Sequence, residues 1–250
     1  MSGFDLFVRS IRIKEPDSNL EDSYVSKLPV VRYLRENGGL AFLKPVTFLV
    51  GENGTGKSTL LEAIAVACGF NPEGGTRNFS FSSNDTHSPL YRALSVTRGH
   101  VLPKDGFFLR AESFYNLASE IDRLNDILPL LDSYGGRSLH DQSHGESFLS
   151  LVINRFGGGG LYLLDEPEAA LSPQSQLALL AHIYNLSKTS QLIIATHSPI
   201  LLACPDAAIY ELTEHGLTLT PYKQTGHYTL TKQFLDCPDR ILSLLLQEED

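Results

Sequence analysis

Gly51-Glu52-Asn53-Gly54-Thr55-Gly56-Lys57-Ser58 is a complete GxxxxGK[ST] run, and Thr59 continues it into an apolar stretch without a breaker. Its glycines let the backbone curl so that consecutive amides and the start of the following helix face one anion. Lys57 is the only cation in the run and is suited to β- and γ-phosphates, while the Ser58 hydroxyl is suited to Mg²⁺. With ordinary glycine usage, such a run arises by chance in about one chain in a hundred of this length. No G-x-G-x-x-G opens the helix, so a dinucleotide fingerprint is excluded.

Two later runs carry matching chemistry. Asp165 and Glu166 follow the apolar segment Leu161-Tyr162-Leu163-Leu164, which places them at the carboxyl edge of a sheet, where open α/β folds bind ligands. Asp165 is suited to hold Mg²⁺ through water, and strand alternation is expected to turn Glu166 the other way, toward the terminal phosphate and a water to orient or deprotonate. Thr196-His197 follows the apolar segment Leu192 to Ala195 in the same manner, so His197 is a candidate donor to phosphate that registers its loss. The other seven histidines lack this context and are expected to be core or surface groups.

These residues need elements to hold them. Val46 to Val50 reads as a strand running into Gly51, and Thr59 to Cys68 as the helix after it. Leu161 to Leu164 and Leu192 to Ala195 are continuously apolar, as parallel strands covered on both faces are. Phe7 to Lys14 alternates like a strand before a polar loop, and Gly69 to about Gly106 reads as loops with at most short strands. Phe107 to Leu109 reads as a buried strand and Ser113 to Leu131 as helical, with Leu117, Ile121, Leu124 and Leu128 as a core-facing stripe. Ser143-His144-Gly145-Glu146 has the S-x-x-E form of a capping box before a stripe at Phe148, Leu149, Val152, Ile153 and Phe156. A helix from about Pro173 to Leu186, a hairpin from Ala208 through Gly216 to Tyr222, and a short helix opened by Pro238 complete the reading.

At 250 residues with 42% apolar and 20% charged side chains, the chain suits one α/β domain and is not a disordered segment. A net charge of −9 repels phosphate backbones, so nucleic acid is not the expected partner. The amino terminus lacks a basic segment followed by an apolar run, and no uncharged apolar stretch approaches a membrane span, so residence in the cytoplasm is expected. Cys68, Cys204 and Cys237 lack metal or disulfide spacing and are expected to be reduced, partly buried thiols.

Taken together, these motifs resemble the ATP-binding-cassette ATPases, especially the soluble chromosome-maintenance and RecF-like branch. Gln142-Ser143-His144-Gly145-Glu146 resembles the LSGGQ or LSGGE signature, Glu168-Ala169-Ala170-Leu171-Ser172 the D-loop, and Thr196-His197 the histidine switch. Asp165 stands 22 residues beyond Ser143 and His197 stands 32 beyond Asp165, close to the family's spacing. GENGTGKSTLLEAIA, FFLRAESF, LDEPEAALSP and IIATHSPILL look most like a small family of bacterial predicted ATPases of the AAA group.

The resemblance implies a single ATPase domain over residues 1–250: a mostly parallel α/β core, an antiparallel β-subdomain from the N-terminal third, and a helical subdomain at about 107–156. It implies ATP and Mg²⁺ at Gly51 to Thr59, with Ser58 and Asp165 at the metal and Lys57, Glu166 and His197 as catalytic groups. It also implies a homodimer in which Ser143 and Gly145 of one subunit cap the γ-phosphate bound by the other. Two departures stand out. No glutamine occupies the Q-loop position, where Glu112 is the candidate and Arg110 an alternative contact to phosphate, and His144 replaces a signature glycine. The 84 residues between Ser58 and Ser143 leave no room for long coiled-coil arms. Two other readings remain: a nucleotide or small-molecule kinase, marked by substrate-dependent ADP release without dimerisation, and a nearly inert ATP-gated protein that docks an unidentified partner.

Overall fold

The computed structural model describes residues 5–14, 23–77, 88–125, 138, 140 and 143–246. Gln142, the end of the helix expected to reach Leu131, and the polar loop after Lys14 lie wholly or mainly outside them. The elements begin with β1 (Val8–Ile13), α1 (Pro29–Glu36), β2 (Leu40–Ala41), β3 (Val46–Gly51), α2 (Lys57–Ala67), α3 (Leu90–Ala93) and β4 (Leu94–Arg98). They continue with β5 (Asp105–Arg110), α4 (Phe114–Asn125), α5 (His144–Arg155), β6 (Gly160–Asp165), α6 (Pro173–Leu186) and β7 (Gln191–Ala195). The last are β8 (Ala208–Thr213), β9 (Gly216–Leu219), α7 (Gly226–Asp236) and α8 (Pro238–Leu245).

Side-chain alternation in the central strands explains why both sheet faces are covered. Val46, Phe48 and Val50 point into one apolar cluster and Leu49 into the other; Tyr162 and Leu164 separate from Leu161 and Leu163 in the same way. The six-stranded sheet has the order β5-β6-β7-β3-β8-β9, parallel except for the β8–β9 hairpin. One face buries Phe114, Phe148 and Ile183 of α4, α5 and α6. The other packs on α1, α2 and the antiparallel sheet β2-β1-β4, which is the expected β-subdomain. The buried Gln191 amide ties the two sheets: its Nε2 donates to Val8 O and its Oε1 accepts from Val8 N, both at 2.8 Å.

Several expectations need adjusting. Residues 107–110 of the expected helical segment are in β5 of the core sheet, and the segment's helices among the described residues are α4 and α5. On α5 the buried stripe is Phe148, Leu151 and Val152, whereas Ile153 is exposed, because the helix packs over a narrower face than the sequence spacing indicated. The region after Gly69 contains α3 and β4 in its described part. Cys68 and Cys204 are buried free thiols, each pushed up to about 11 by burial, whereas Cys237 is exposed. Among the described residues, no helix is long and apolar enough to cross a membrane.

Candidate functional site

β3 delivers the chain to Gly51 with its backbone against β8. A Cβ at Gly51, where φ is 151°, would stand 2.2 Å from Leu212 O, and one at Gly56, where φ is 98°, would stand 2.8 Å from Val30 Cγ1. Side chains at either position would both strain the backbone and force the loop off its support. α2 starts at Lys57, whose buried ammonium folds back to donate to Gly51 O at 2.8 Å and Glu52 O at 3.0 Å. Burial holds the Lys57 pKa below its usual value, opposed by the negative charges of Glu166 and Asp165.

The parallel register brings the other groups to this edge. Arg110 pairs in register with Asp165, Asp165 with Ala195, and Ala195 with Leu49, so the ends of β5, β6, β7 and β3 lie side by side. Asp165 is buried and hydrogen-bonded to Ser58, and its Oδ1 has no hydrogen-bond partner among the described residues. Burial pushes its carboxyl up to about 6, with Glu166 and Glu112 adding to that rise and Ser58 and Arg110 opposing it. A hydroxyl beside a carboxylate with a spare oxygen is a hard, oxygen-only donor set that fits Mg²⁺. A cavity of about 460 Å³ beside them is lined by Asn53, Gly54, Lys57, Ser58, Thr59 and Glu166, with Tyr24 at its edge. A larger one, about 920 Å³, also borders the loop but carries neither Lys57 nor Ser58, so of the two only the smaller is lined by the lysine and serine of the motif.

Glu166 does not follow the strand alternation expected of it. It lies just beyond β6 in the left-handed region, φ 49° and ψ 50°, with its amide donating to Ala195 O at 2.9 Å. A non-glycine residue there carries strain on the order of 1 kcal/mol, held in place by the turn at Pro167–Ala170. Its half-exposed carboxylate approaches His197, with 3.7 Å between Glu166 Oε1 and His197 Nε2. The His197 amide donates to the half-buried Glu168 carboxylate, and His197 Nδ1 lies 3.0 Å from His227 Nε2. Burial and the Lys57 charge lower the His197 pKa.

Lys57, Ser58, Asp165, Glu166 and His197 are therefore gathered at one edge. Ser143 and Gly145 do not line the phosphate-loop cavity. Ser143 caps α5 as its spacing predicts: its Oγ accepts from Glu146 N at 3.4 Å, and its own amide donates to Glu146 Oε2 at 3.1 Å. Gly145 packs so closely on the turn after Glu166 that a Cβ would meet Ala170 O at 2.6 Å. His144 lines a cavity of about 270 Å³ with Glu112, Asp165 and Glu166. Arg110 is engaged by carboxylates: Glu62 at 2.9 Å, Glu112 at 3.0 Å and Asp165 at 3.6 Å. Glu112 is thus tied to Arg110. Sequence reasoning missed Glu62, which lies in the GENGTGKSTLLEAIA run but was given no role there, and His227, which stands in no motif; Glu168 was legible as part of the D-loop-like run, but not as the clamp on His197.

Residues 31–98 match the family model described as "AAA domain", and residues 103–203 match one described as "AAA domain, putative AbiEii toxin, Type IV TA system". No curated protein matches the chain. Among solved structures, a nucleotide-free ATP-binding cassette from an ABC transporter is 15% identical, covering 97% of this chain and 100% of that one at a TM-score of 0.46. A second ABC-transporter cassette is 16% identical, over 95% and 99% of the two chains at 0.45. The SMC head domain from Thermotoga maritima is 15% identical, over 88% and 99% at 0.41. The first AAA-domain match spans the phosphate loop and the second spans Asp165, Glu166 and His197, so in both parts the chain resembles α/β P-loop ATPase domains of the AAA type.

Proposed function

We propose that this chain is one ATPase domain that binds ATP with Mg²⁺ at Gly51 to Thr59, hydrolyses it, and closes as a homodimer while ATP is bound. The supporting observation is the gathering of Lys57, Ser58, Asp165, Glu166 and His197 at the carboxyl edge of the sheet, where Lys57, Ser58 and Glu166 line one cavity, Asp165 bonds to Ser58 and His197 faces Glu166. The amides of Gly51, Glu52, Asn53, Gly54, Thr55 and Gly56 bind the phosphates, and Lys57 turns its ammonium from its own loop carbonyls to phosphate oxygens. Ser58 and Asp165 hold the metal, which when bound neutralises charge on the phosphoryl oxygens. Glu166 takes the proton of the attacking water or orients it, its fixed turn keeping the carboxylate at the cavity wall. His197 donates to the terminal phosphate and senses its departure. Ser143 and Gly145 of a second copy cap that phosphate, Glu146 releasing the Ser143 hydroxyl to it.

Glu166→Gln keeps the size of the side chain and removes the base. The variant is expected to bind ATP, to lose turnover by at least about a hundredfold, and to accumulate an ATP-bound dimer in light scattering. A folded variant that binds ATP but stays monomeric at tens of micromolar sinks the dimer; one with wild-type turnover sinks the assignment of the base.

A further inference from the structure

We propose that His227, the second residue of α7, is a positioning residue that fixes the tautomer and ring orientation of His197; this rests on the phosphate-sensing role given to His197 above. His197 Nδ1 and His227 Nε2 are 3.0 Å apart, so one nitrogen carries the proton and the other accepts it. The opposite side of the His197 ring decides which. His197 Nε2 has no hydrogen-bond partner among the described residues and faces Glu166 Oε1 at 3.7 Å. A bare lone pair turned toward a carboxylate is repelled, whereas an N–H is attracted, so the proton belongs on His197 Nε2. His197 Nδ1 then accepts from His227 Nε2–H. This is the tautomer that His197 needs in order to donate to a phosphate.

His227 is itself held. The buried Thr225 hydroxyl accepts from Tyr228 N and caps α7, while Gly226 N donates to Glu211 Oε1 of β8 at 2.8 Å. The rings meet at 57° with 5.1 Å between centroids, so His227 also limits rotation of the His197 ring. Burial favours the neutral form of both imidazoles, Lys57 adding to the effect on His197 and His197 to that on His227, so a bridge between two neutral rings is favoured. His227 does not touch phosphate in this account. It acts only through His197, and it places α7 in direct contact with the sensing residue.

The test uses the full chain with ¹⁵N-labelled histidine, and ATP turnover measured in parallel. In the wild-type protein without nucleotide, His197 is expected to show a protonated Nε2 and a bare Nδ1; in His227→Ala the two tautomers are expected to average. The alanine variant is expected to lower kcat about tenfold, the range for a functional imidazole that loses its second partner, while KM for ATP stays within about twofold. His227→Gln supplies an amide N–H to Nδ1 and is expected to restore most of kcat and the single tautomer. Unchanged His197 nitrogen shifts in His227→Ala, or no rescue by glutamine in a folded protein, overturns the proposal. If circular dichroism shows that the alanine variant fails to fold, the glutamine variant decides: near-wild-type kcat with the Nε2–H tautomer supports it, and loss of either overturns it. The nitrogen shifts do not depend on turnover, so a wild-type protein with the expected tautomer but no ATPase sinks the hydrolysis reading alone. Loss of turnover in Glu166→Gln with none in a folded His227→Ala sinks this inference alone.

Discussion

Lys57 braces the loop through Gly51 O and Glu52 O and, in the proposed function, supplies the cation for phosphate, so Lys57→Ala removes both. With each charge-assisted contact worth about 1.5–3 kcal/mol, ATP affinity measured by calorimetry is expected to fall by roughly a hundredfold or more; unchanged affinity together with unchanged turnover would falsify the phosphate-loop assignment. Asp165 makes a prediction in the opposite direction. Its folded carboxyl titrates at about 6, above the ordinary 3.8, so the folded metal-free protein binds more protons than the unfolded chain between those values. The contribution of this group to stability is therefore fully present below about pH 4 and is lost as pH rises through about 6. Asp165→Asn is expected to stabilise the metal-free protein at pH 7.5 by about 2 kcal/mol and to have much less effect near pH 4. Urea denaturation at the two pH values checks this, and equal effects at both would remove burial strain as the cause.

Among the elements, α5 shows a residue with two obligations. Gly145 was read from sequence only as a contact to a partner's phosphate, yet its missing Cβ also lets α5 approach Ala170 in the turn that holds Glu166. Gly145→Ala is expected to cost about 1–3 kcal/mol and to lower the melting temperature even in the monomer, which differential scanning calorimetry would reveal; a neutral substitution would mean that the turn yields freely. The central strands were legible because burial on both faces demands continuous apolar runs, and the α5 start because Ser143 and Glu146 satisfy its end amides. α1 was not legible: its N-cap is Leu28, which has no side-chain acceptor, and Pro29 is its only start signal. α7 opens on Gly226 and carries Thr229 and Thr231, residues of weak helical preference. The edge carrying Asp165 and His197 could be read from two strand ends, but the left-handed turn at Glu166 leaves no mark in a strand pattern. His227 meets His197 through folding alone, from 30 residues away.

At the scale of the whole molecule, the two sheets are tied by the Gln191 amide and by Tyr210 Oη, which donates to Ala41 O at 2.8 Å. Gln191→Leu leaves Val8 N and O buried without the Gln191 partner and is expected to destabilise the protein by roughly 2–5 kcal/mol, seen as a lower urea midpoint; a smaller loss would mean that apolar packing and the Tyr210 bond hold the sheets without it. Between molecules, adding Ser143→Arg to Glu166→Gln is expected to abolish the ATP-dependent dimer while sparing monomer binding, since Gly51 to Ser58 is untouched. Light scattering with and without ATP decides it, and a persisting dimer would place the interface elsewhere. The charge of −9 predicts no sub-micromolar binding to a short DNA duplex at physiological salt, which fluorescence anisotropy can contradict. The position of β3 has a further consequence, for the order in which the protein is made. Its hydrogen-bonding neighbours are β7, paired from Leu192, and β8, paired as far as Leu212. β3 is translated well before β7 and β8, so the strand beneath the phosphate loop stays without either neighbour through that interval. Until then β3 is an unpaired apolar strand that a growing chain must keep from other chains.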